Sequence, residues 1–536
     1  MEDVARVLGF QAGTDLASTV PRFLKLPQLA GKATAVRSDN SSLLTAQLAL
    51  PPPASERGLG YNVPYNPIHW LKDDILFRIF NCYRLNNQRH WNRRLLWCKL
   101  SHVCRSWRHL IYESAFHLGI HIECINGSHI VDALDHLPPL PLFVSYTIMI
   151  LPTEETELRI YQALRLRGRV RHIELELPHS ILQKVVVLMD EHFPILEHLS
   201  LSFPFYPIAT ETKLPLTLPK AFLAPNLRHL SLPDINPPRR LRVLTSTFSL
   251  VTLELRNIQT SSYFQPRLLV ARLSSLPQLE GLFISFPTPI PRPSTEGETI
   301  GENGAPVTLH SLKTLQFQGV GAYLESVVAQ ISAPLLERLD ITLFYQIAFA
   351  LPHLFYLINA FEFSDAAVHF DRNAVYVTTV HRGLDWSDSR PFHLCVLCDQ
   401  IDWQIDSAKQ ICHALIPALS GVWELTLYHD NPAAIPTEFR NGVIDSATWH
   451  DLLRSFTGVH WLYIDHKLVE ELSCALQVDE VGLDPEFLPD LQYIHAADNL
   501  FTTFIDTRQV VGRSVQFVEW YGLRSPQSST NVSVVT

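Results

Sequence analysis

The stretch Leu196-Glu197-His198-Leu199-Ser200-Leu201 carries the pattern that decides the fold: an apolar residue, two others, then two apolar residues separated by one. The same string recurs along the chain after residue 145, at Val170–Leu175, Leu196–Leu201, Leu227–Leu232, Leu250–Leu255, Leu279–Ile284, Leu312–Phe317, Leu336–Ile341, Val422–Leu427, Val459–Ile464 and, shortened, Leu491–Ile494. The alternating end of each string predicts a short strand with one buried face.

The spacing of the strings leaves room for a helix between most of them. Measured at the second apolar residue, the steps are 26, 31, 23, 29, 33 and 24 residues, then 37 and 32 near the C-terminus. Apolar residues at helical spacing predict helices between strings, at Ile181 to Phe193, Gln265 to Leu276, Leu324 to Ile331, Ala408 to Leu419, Ala447 to Phe456 and Leu468 to Leu476. Strand–helix units that stack side by side bury a continuous core that no single unit could bury.

One gap of 86 residues, from Leu339 to Leu425, interrupts the series. Val368-His369-Phe370 and Leu394-Cys395-Val396 are weaker matches inside it, and they divide the gap into steps of 29, 26 and 31 residues. We therefore expect two further strands there, following one another in chain order, and about ten parallel strands in one curved sheet with helices outside.

The recurring string resembles the leucine-rich repeat. The resemblance implies a mixed α/β fold built as an irregular solenoid, although the Asn that often follows the strand in such families is mostly absent and Asn257 is one of few examples. The alternative from the same pattern is an ordinary α/β domain with short parallel strands.

Two apolar stripes of helical spacing precede the strings, between Leu71 and Leu110. The first consists of Leu71, Ile75, Leu76, Ile79 and Phe80, and the second of Leu100, Val103, Cys104, Trp107, Leu110 and Ile111. Each predicts one amphipathic helix. Asp73 and Asp74 open the first helix, where the helix dipole favours negative charge.

This pair of stripes resembles the F-box, the adaptor-binding module of substrate receptors in cullin–RING ubiquitin ligases. The motif residues are Leu71, Asp74, Ile75, Leu76, Ile79 and Phe80, and then Val103-Cys104-Arg105-x-Trp107-x-x-Leu110. Lys72 stands where the family usually has Pro, Asp74 replaces Glu, and the segment between Phe80 and Val103 is longer than usual. The resemblance implies adaptor binding by Leu71, Ile75, Leu76, Ile79, Phe80, Val103, Cys104, Trp107 and Leu110.

Charge is distributed unevenly along the chain. The whole protein carries −10, which argues against non-specific binding to nucleic acid. Between Leu71 and Leu110, nine Lys and Arg residues face two Asp residues, a local charge of +7. This segment is either a solvated basic face or a docking surface for an acidic partner.

Length and composition predict several regions. The 536 residues, 47% hydrophobic and 18% charged, exceed one compact domain and are not disordered as a whole. We predict a disordered arm or linker over 1–60, an F-box-like helical domain over 61–125, a connector over 126–145, a solenoid over 146–505, and a C-terminal segment over 506–536 with a disordered tail. Scattered cysteines, no secretory leader and no long apolar run favour an intracellular protein, cytoplasmic or nuclear, that does not bind membranes.

The sequence offers few groups for catalysis. Cys395 and Cys398, followed by Cys412-His413, superficially suggest zinc, but the ligand spacing is poor, so we expect buried thiols and no metal. Common catalytic and phosphate-binding motifs are missing from the sequence, and we expect no enzyme, no catalytic residue and no cofactor. Trp423, Trp461 and Tyr463 alternate with buried strand residues and are candidates for target binding on the concave face; the alternative is a second buried layer.

Two functional hypotheses follow. The first is a substrate-recognition subunit of a cullin–RING ubiquitin ligase, whose F-box docks an acidic adaptor and, through it, a cullin, while the repeats hold a protein target. The second is a leucine-rich-repeat scaffold in which the F-box-like helices only cap the core of the first repeat.

Overall fold

A computed structural model describes residues 71–86, 100–114, 122–124, 140–147, 152–204, 216–237, 243–259, 262–287, 306–344, 349–380, 392–398, 401–429, 446–476 and 487–520. The predicted N-terminal arm and the end of the C-terminal tail lie outside these residues. All of the described residues belong to one compact unit.

The described part of the chain contains twelve helices. They are α1 Asp73–Asn86, α2 Arg105–Glu113, α3 Glu154–Arg165, α4 His179–Leu188, α5 Pro266–Leu273, α6 Gly321–Val328, α7 Pro352–Ile358, α8 Ile401–Ala414, α9 Ile416–Leu419, α10 Ser446–Leu453, α11 Val469–Leu476 and α12 Thr502–Val510. Each helix predicted between two strings overlaps one of these. The segment predicted from Ala408 to Leu419 is divided into α8 and α9 at Leu415, two residues before Pro417, which has no N–H to continue a helix.

The same described ranges contain twenty strands. They are β1 Ile122–Glu123, β2 Leu142–Tyr146, β3 Val170–Glu176, β4 His198–Ser202, β5 Leu216–Thr217, β6 His229–Pro233, β7 Ile235–Asn236, β8 Thr252–Arg256, β9 Gly281–Ser285, β10 Val307–Thr308, β11 Thr314–Gly319, β12 Ile331–Ser332, β13 Arg338–Phe344, β14 Asp365–Asp371, β15 Ala374–Val380, β16 Phe392–Leu397, β17 Glu424–His429, β18 Trp461–Ile464, β19 Tyr493–Ala496 and β20 Gln516–Glu519. Every recurring string of the sequence ends in one of these strands.

Sixteen of the strands form one large sheet, which is mostly parallel. Its order is β1-β2-β3-β4-β6-β8-β9-β11-β13-β16-β15-β14-β17-β18-β19-β20, so β1 and β20 are its two edges and the sheet is open. The remaining four strands form two small pairs, β5 with β7 and β10 with β12. The predicted mixed α/β class is therefore confirmed.

The order of strands between β13 and β17 differs from the expected one. We expected Val368-x-Phe370 and Leu394-x-Val396 to follow in chain order, but β16 pairs with β13 and β14 pairs with β17, both in parallel. Between them lies β15, antiparallel to both neighbours. A tight turn at Arg372 and Asn373 joins β14 directly to β15, and this hairpin reverses the order.

The sheet also extends beyond the predicted limits of the repeat region. β1 and most of β2 precede residue 146, and β20 follows residue 505. The predicted boundary at 505 falls inside α12, because the last strand–helix unit continues to Glu519.

The two faces of the large sheet differ in burial. Along β4, for example, Leu199 and Leu201 are fully buried, whereas His198, Ser200 and Ser202 are half-buried. The buried positions belong to one continuous hydrophobic core that also contains the inward residues of the helices. The strand residues that alternate with these buried positions, such as His198, Ser200 and Ser202 of β4, lie on the other face of the sheet, which we call the open face. No helix in the described part of the chain is long and apolar enough to cross a membrane.

Candidate functional site

The first candidate site is the surface of α1, which presents apolar residues on two sides. Leu76 and Phe80 are 3% and 2% exposed and belong to the core. Ile75 and Ile79, one residue earlier in each case, are 41% and 40% exposed. Since residues four apart lie on the same side of a helix, each pair forms a stripe of its own. Thus α1 is packed through one stripe and presents a second one outward.

The second predicted stripe does not form a single helix, which corrects the sequence-based expectation. Leu100 and Ser101 belong to a preceding helical turn, Val103 lies in the turn that follows, and α2 begins only at Arg105. Cys104 has φ −157°, an extended conformation, and its Sγ accepts a hydrogen bond from the backbone N–H of Trp107 at 3.4 Å. Cys104 is therefore the N-cap of α2, because the cap side chain binds an N–H that has no partner within the helix.

The helix pair packs against the core through α2 as well as α1. Ile111 of α2 is fully buried, and the Trp107 ring meets the Phe80 ring edge-on with 4.9 Å between the centroids. Val103 is 51% exposed in the turn before α2. The remaining residues predicted to bind an adaptor are half-buried, namely Leu71, Cys104, Trp107 and Leu110.

Exposed charges surround these apolar residues. Lys72, Arg78, Arg105 and Arg108 are exposed, and so are Asp73 and Asp74. Arg108 Nε donates to the Ser101 carbonyl oxygen at 3.0 Å, which ties α2 to the preceding helical turn. The other bases of this segment lie outside the described residues or have undescribed side chains.

The second candidate site is an aromatic cluster on the C-terminal third of the open face. The structure brings together all three aromatic residues predicted to bind a target. Trp423, just before β17, stacks on Trp461 of β18, with 5.5 Å between the ring centroids and 29° between the planes. Tyr463 follows two residues later on β18, and all three rings are half-buried. None of the three rings is fully buried, and their part in target binding stays a prediction.

Three further rings extend this cluster toward the edge of the sheet. Tyr493 of β19 meets Trp461 edge-on at 5.9 Å, and His495 stacks on Tyr463 at 4.3 Å. Trp520, just after β20, meets Tyr463 edge-on at 5.3 Å. The cluster thus spans four neighbouring parallel units of the sheet. Tyr493 and His495 flank the buried Ile494 in the same way as Trp461 and Tyr463 flank Leu462, and this alternation could have predicted both residues.

Carboxylates border the aromatic cluster on its other side. Asp365 Oδ1 accepts a hydrogen bond from the Trp423 indole N–H at 3.1 Å. Glu424 lies between Asp365 and Trp461 in the register of β14, β17 and β18. Burial raises the pKa of Tyr463, and the negative charges of Glu424 and Asp365 raise it further. The cluster therefore has negative charge beside its rings.

A ladder of histidines occupies the N-terminal part of the open face. The Phe143, His172 and His198 rings stack in succession, at 4.8 and 4.1 Å, and His229 continues the series at 5.6 Å. Burial lowers the pKa of His198 to about 4, and the neighbouring His172 and His229 lower it further. Burial also lowers the pKa of His229. These three histidines share one position of consecutive strings, a signal that the sequence prediction did not use.

Polar side chains are bonded to one another in the middle of the open face. Ser231 Oγ donates to Glu254 Oε2 at 2.7 Å, and Arg256 forms an ion pair with Glu254. Arg256 also donates to Gln316 Oε1 at 3.2 Å, passing over the Phe283 ring at 5.9 Å from its centroid. The middle of the face is thus internally hydrogen-bonded.

The thiols singled out in the sequence lie in the core. Cys395, Cys398 and Cys412 are all buried, and no disulfide joins them. Burial raises the pKa of Cys395 to about 12 and that of Cys412 further still, so both remain protonated near neutral pH. Within the described ranges, no group of three or more His, Cys, Asp and Glu residues is arranged to hold a metal ion.

Comparison with known proteins adds no family assignment. No family model matches the chain, and no curated protein matches it significantly. The functional argument therefore depends on the geometry of the two sites, the outward stripe of α1 and the aromatic cluster of the open face, both of which offer side chains suited to protein contacts.

Proposed function

We propose that the protein is a substrate-recognition subunit of a cullin–RING ubiquitin ligase. In this proposal α1 and α2 are an F-box that docks an acidic adaptor and, through it, a cullin. The strand–helix units form an irregular leucine-rich-repeat solenoid that holds a target protein. The protein itself is not catalytic; it raises the local concentration of the target near a ubiquitin carrier supplied by other subunits.

The observation that carries the proposal is the outward apolar stripe of α1, formed by Ile75 and Ile79. Leu76 and Phe80 already anchor the helix in the core, so Ile75 and Ile79 are not needed for that packing. Exposed aliphatic side chains at helical spacing are the anchors that a partner protein buries. The exposed bases nearby complement an acidic partner and would speed its association.

A second function is favoured by a different observation. Leu76, Phe80 and Ile111 are continuous with the core of the large sheet. Helices in this position cover the end of a stacked core and stabilise it. A repeat scaffold that uses α1 and α2 only as a cap would need the buried residues Leu76, Phe80 and Ile111, and would not need Ile75 and Ile79.

Reconstitution of the complex tests the proposal. We expect the full chain, mixed with purified adaptor bound to the N-terminal part of a cullin, to elute as one complex in size-exclusion chromatography. The interaction should weaken as salt increases, mostly through a slower association rate. Failure of the wild-type chain to bind the adaptor at any salt concentration would leave the capped scaffold as the better description.

A further inference from the structure

Five aromatic rings lie together on the open face at the C-terminal edge of the large sheet. We call them the edge platform; they are Trp461 and Tyr463 of β18, Tyr493 and His495 of β19, and Trp520, which follows β20. The register pairs Trp461 with Tyr493 and Tyr463 with His495, so the rings of β18 and β19 form two rows. Neighbouring strands lie about 4.8 Å apart, so adjacent rings of a row are within contact distance of one bound group.

The rings of the edge platform hold one another in place. Tyr463 stacks on His495 with 4.3 Å between the ring centroids and meets Trp520 edge-on at 5.3 Å. Trp461 meets Tyr493 edge-on at 5.9 Å. All five rings are half-buried, so each packs within the cluster and also has an exposed part. Such pre-organisation reduces the entropy that must be lost when a ligand binds.

The polar atoms of the edge platform favour hydrogen-bond donation. An indole offers only its N–H, and a phenol offers its O–H together with an acceptor oxygen. Within the described part of the chain, the indole N–H groups of Trp461 and Trp520 and the hydroxyls of Tyr463 and Tyr493 form no hydrogen bond with the protein. The neighbouring Trp423 differs, because its N–H already donates to Asp365 Oδ1. The platform therefore offers four donors to a ligand.

The edge platform is uncharged near neutral pH. The open face of β18, β19 and β20 consists of the four rings of β18 and β19 followed by Gln516 and Val518, so these three strands present no Lys or Arg there. Burial lowers the pKa of His495, which keeps this imidazole neutral. Single-stranded nucleic acids also stack on aromatic rings, but they require a positively charged groove for their phosphates. A polyanion is therefore a poor match for this surface.

A proline-rich segment matches the rings and the donors together. Each proline residue has a carbonyl oxygen but no N–H, so such a segment presents many acceptors and few donors. A polyproline II helix has no internal hydrogen bonds, which leaves these carbonyl oxygens available. Its apolar rings pack on aromatic side chains, and its fixed φ reduces the entropy lost on binding. A sugar also packs on aromatic rings, but each of its hydroxyls donates as well as accepts and needs acceptors that indoles do not offer.

We propose that the edge platform binds a proline-rich segment of the target protein in the polyproline II conformation, with prolines on the rings of Trp461 and Trp520 and carbonyl oxygens accepting from the platform hydroxyls. This inference rests on the proposed function, since it takes the open face as the surface that holds the target. Among the described strands, β20 has a neighbour on one side only, so an extended segment can approach from the edge of the sheet.

A selection from random peptides tests the proposal without assuming a target. A phage-displayed library of random twelve-residue peptides is selected on the full chain, and the recovered sequences are compared with the unselected library. We expect proline to be enriched. The best synthetic peptide should bind the double variant Y463F/Y493F about tenfold more weakly than wild type, because this variant keeps both rings but loses two hydroxyl donors.

Matched controls separate binding from folding. Tyr356 is an exposed residue of α7, whose buried residues belong to the core side of the sheet, and Y356F makes the same chemical change there. It should leave peptide affinity unchanged. Replacing the prolines of the selected peptide by alanine should weaken binding more than about tenfold, since alanine restores N–H groups and backbone freedom. This change leaves the protein untouched, and thermal unfolding of Y463F/Y493F shows whether the variant keeps the stability of wild type.

Three outcomes would overturn the inference: recovery of no binder, recovery of peptides without proline enrichment, or equal affinity of the best peptide for wild type and Y463F/Y493F. An oligosaccharide array probed with the full chain examines the sugar alternative. Sugar binding that Y463F/Y493F weakens, without any proline-rich binder, would reassign the platform to a glycan and reject the inference.

The adaptor reconstitution is a separate measurement, so the two proposals can fail independently. Proline-dependent peptide binding by a chain that never binds the adaptor would keep the edge platform and reject the ligase subunit. Adaptor binding by a chain that selects no proline-rich peptide would keep the ligase subunit and reject the platform.

Discussion

Arg508 is a cation buried among backbone carbonyls. Its side chain is 2% exposed, and its guanidinium donates to the carbonyl oxygens of Phe487, Leu488 and Pro489 at 3.0, 2.9 and 3.4 Å. It therefore fastens α12 to the loop before β19. We expect Arg508→Leu to lower the free energy of unfolding by about 2–4 kcal/mol, because the buried carbonyls lose their donors.

The comparison with Arg508→Lys makes that measurement specific. Lysine keeps the charge but has no planar fork of donors, so it should restore only part of the lost stability. Urea unfolding followed by circular dichroism gives both values. Equal unfolding midpoints for wild type and Arg508→Leu would contradict the role assigned to this residue.

His198 makes the stability of the fold depend on pH. Its pKa is about 4 in the folded chain and about 6.5 when unfolded. Between these values the unfolded chain takes up a proton that the folded chain does not, so the free energy of unfolding decreases as pH falls from about 6.5 toward 4. The groups next to His198 are His172 and His229, with Glu197 and Arg228 acting on His229.

The variant His198→Phe isolates this effect, since phenylalanine preserves a flat ring but does not titrate. We expect its stability to depend less steeply on pH than that of wild type over the same range. His310→Phe is the matched control, because His310 is exposed and outside the ladder. A wild-type slope retained in full by His198→Phe would show that other groups dominate the pH dependence.

At this scale the sequence predicted some positions and not others. Trp461 and Tyr463 were predictable because they alternate with the buried Leu462 and Ile464 of one string, and Trp423 because it stands beside the predicted strand of another. Asp365 was not, because its nearness to Trp423 depends on the pairing of two strands 58 residues apart in the chain. Periodicity identifies the face on which a residue lies, but not its neighbours across strands.

At the scale of elements, two glycines in equivalent positions differ in what surrounds them. Gly421 and Gly458 each precede the first apolar residue of a string. A Cβ on Gly458 would lie 2.3 Å from the carbonyl oxygen of Ser420, whereas at Gly421 the nearest atom would be the Phe363 carbonyl oxygen at 3.5 Å. The turn before β18 thus has no room for a side chain at Gly458, whereas the turn before β17 has room for a Cβ at Gly421.

We expect Gly458→Ala to destabilise the fold by about 1–3 kcal/mol, since two backbone segments must move apart. Gly421→Ala should be neutral or stabilising by up to about 1 kcal/mol, because alanine has fewer unfolded conformations. Neither glycine has a positive φ, so steric contact alone separates the two predictions. Chemical unfolding of both variants tests this, and equal effects would refute it.

Strands were more predictable than their order or the ends of helices. The strings located most strands because alternation is a local property. β15, with the sequence Ala-Val-Tyr-Val-Thr-Thr-Val, has strong β-forming residues but was missed, since it lacks the leading leucine of the string. The sheet order β16-β15-β14 is the reverse of the chain order, because a short turn at Arg372–Asn373 makes β14 and β15 a hairpin. This turn was not predictable, since it lacks the Asn-Gly or Asp-Gly pair that usually marks a two-residue hairpin loop.

At the scale of the whole molecule, one helix distinguishes the two proposed functions. Leu76 and Phe80 contribute to the continuous core, while Ile75 and Ile79 are exposed on the same helix. A cap requires the first pair, and a docking surface requires the second as well. Substituting Ile75 together with Leu76 would mix the two roles, so the informative variants separate the stripes.

We expect Ile75→Ala/Ile79→Ala to keep the unfolding midpoint of wild type, because exposed side chains contribute little to stability. The same variant should bind the adaptor more than about thirtyfold more weakly, since truncating an interface anchor costs 2 kcal/mol or more. Leu76→Ala/Phe80→Ala is the matched control; deleting two buried side chains should destabilise the fold by several kcal/mol, about 2–5 for each. Circular dichroism and adaptor titration measure both effects. If the exposed pair can be removed with no loss of adaptor affinity, the outward stripe is not the docking surface, and α1 serves the core alone.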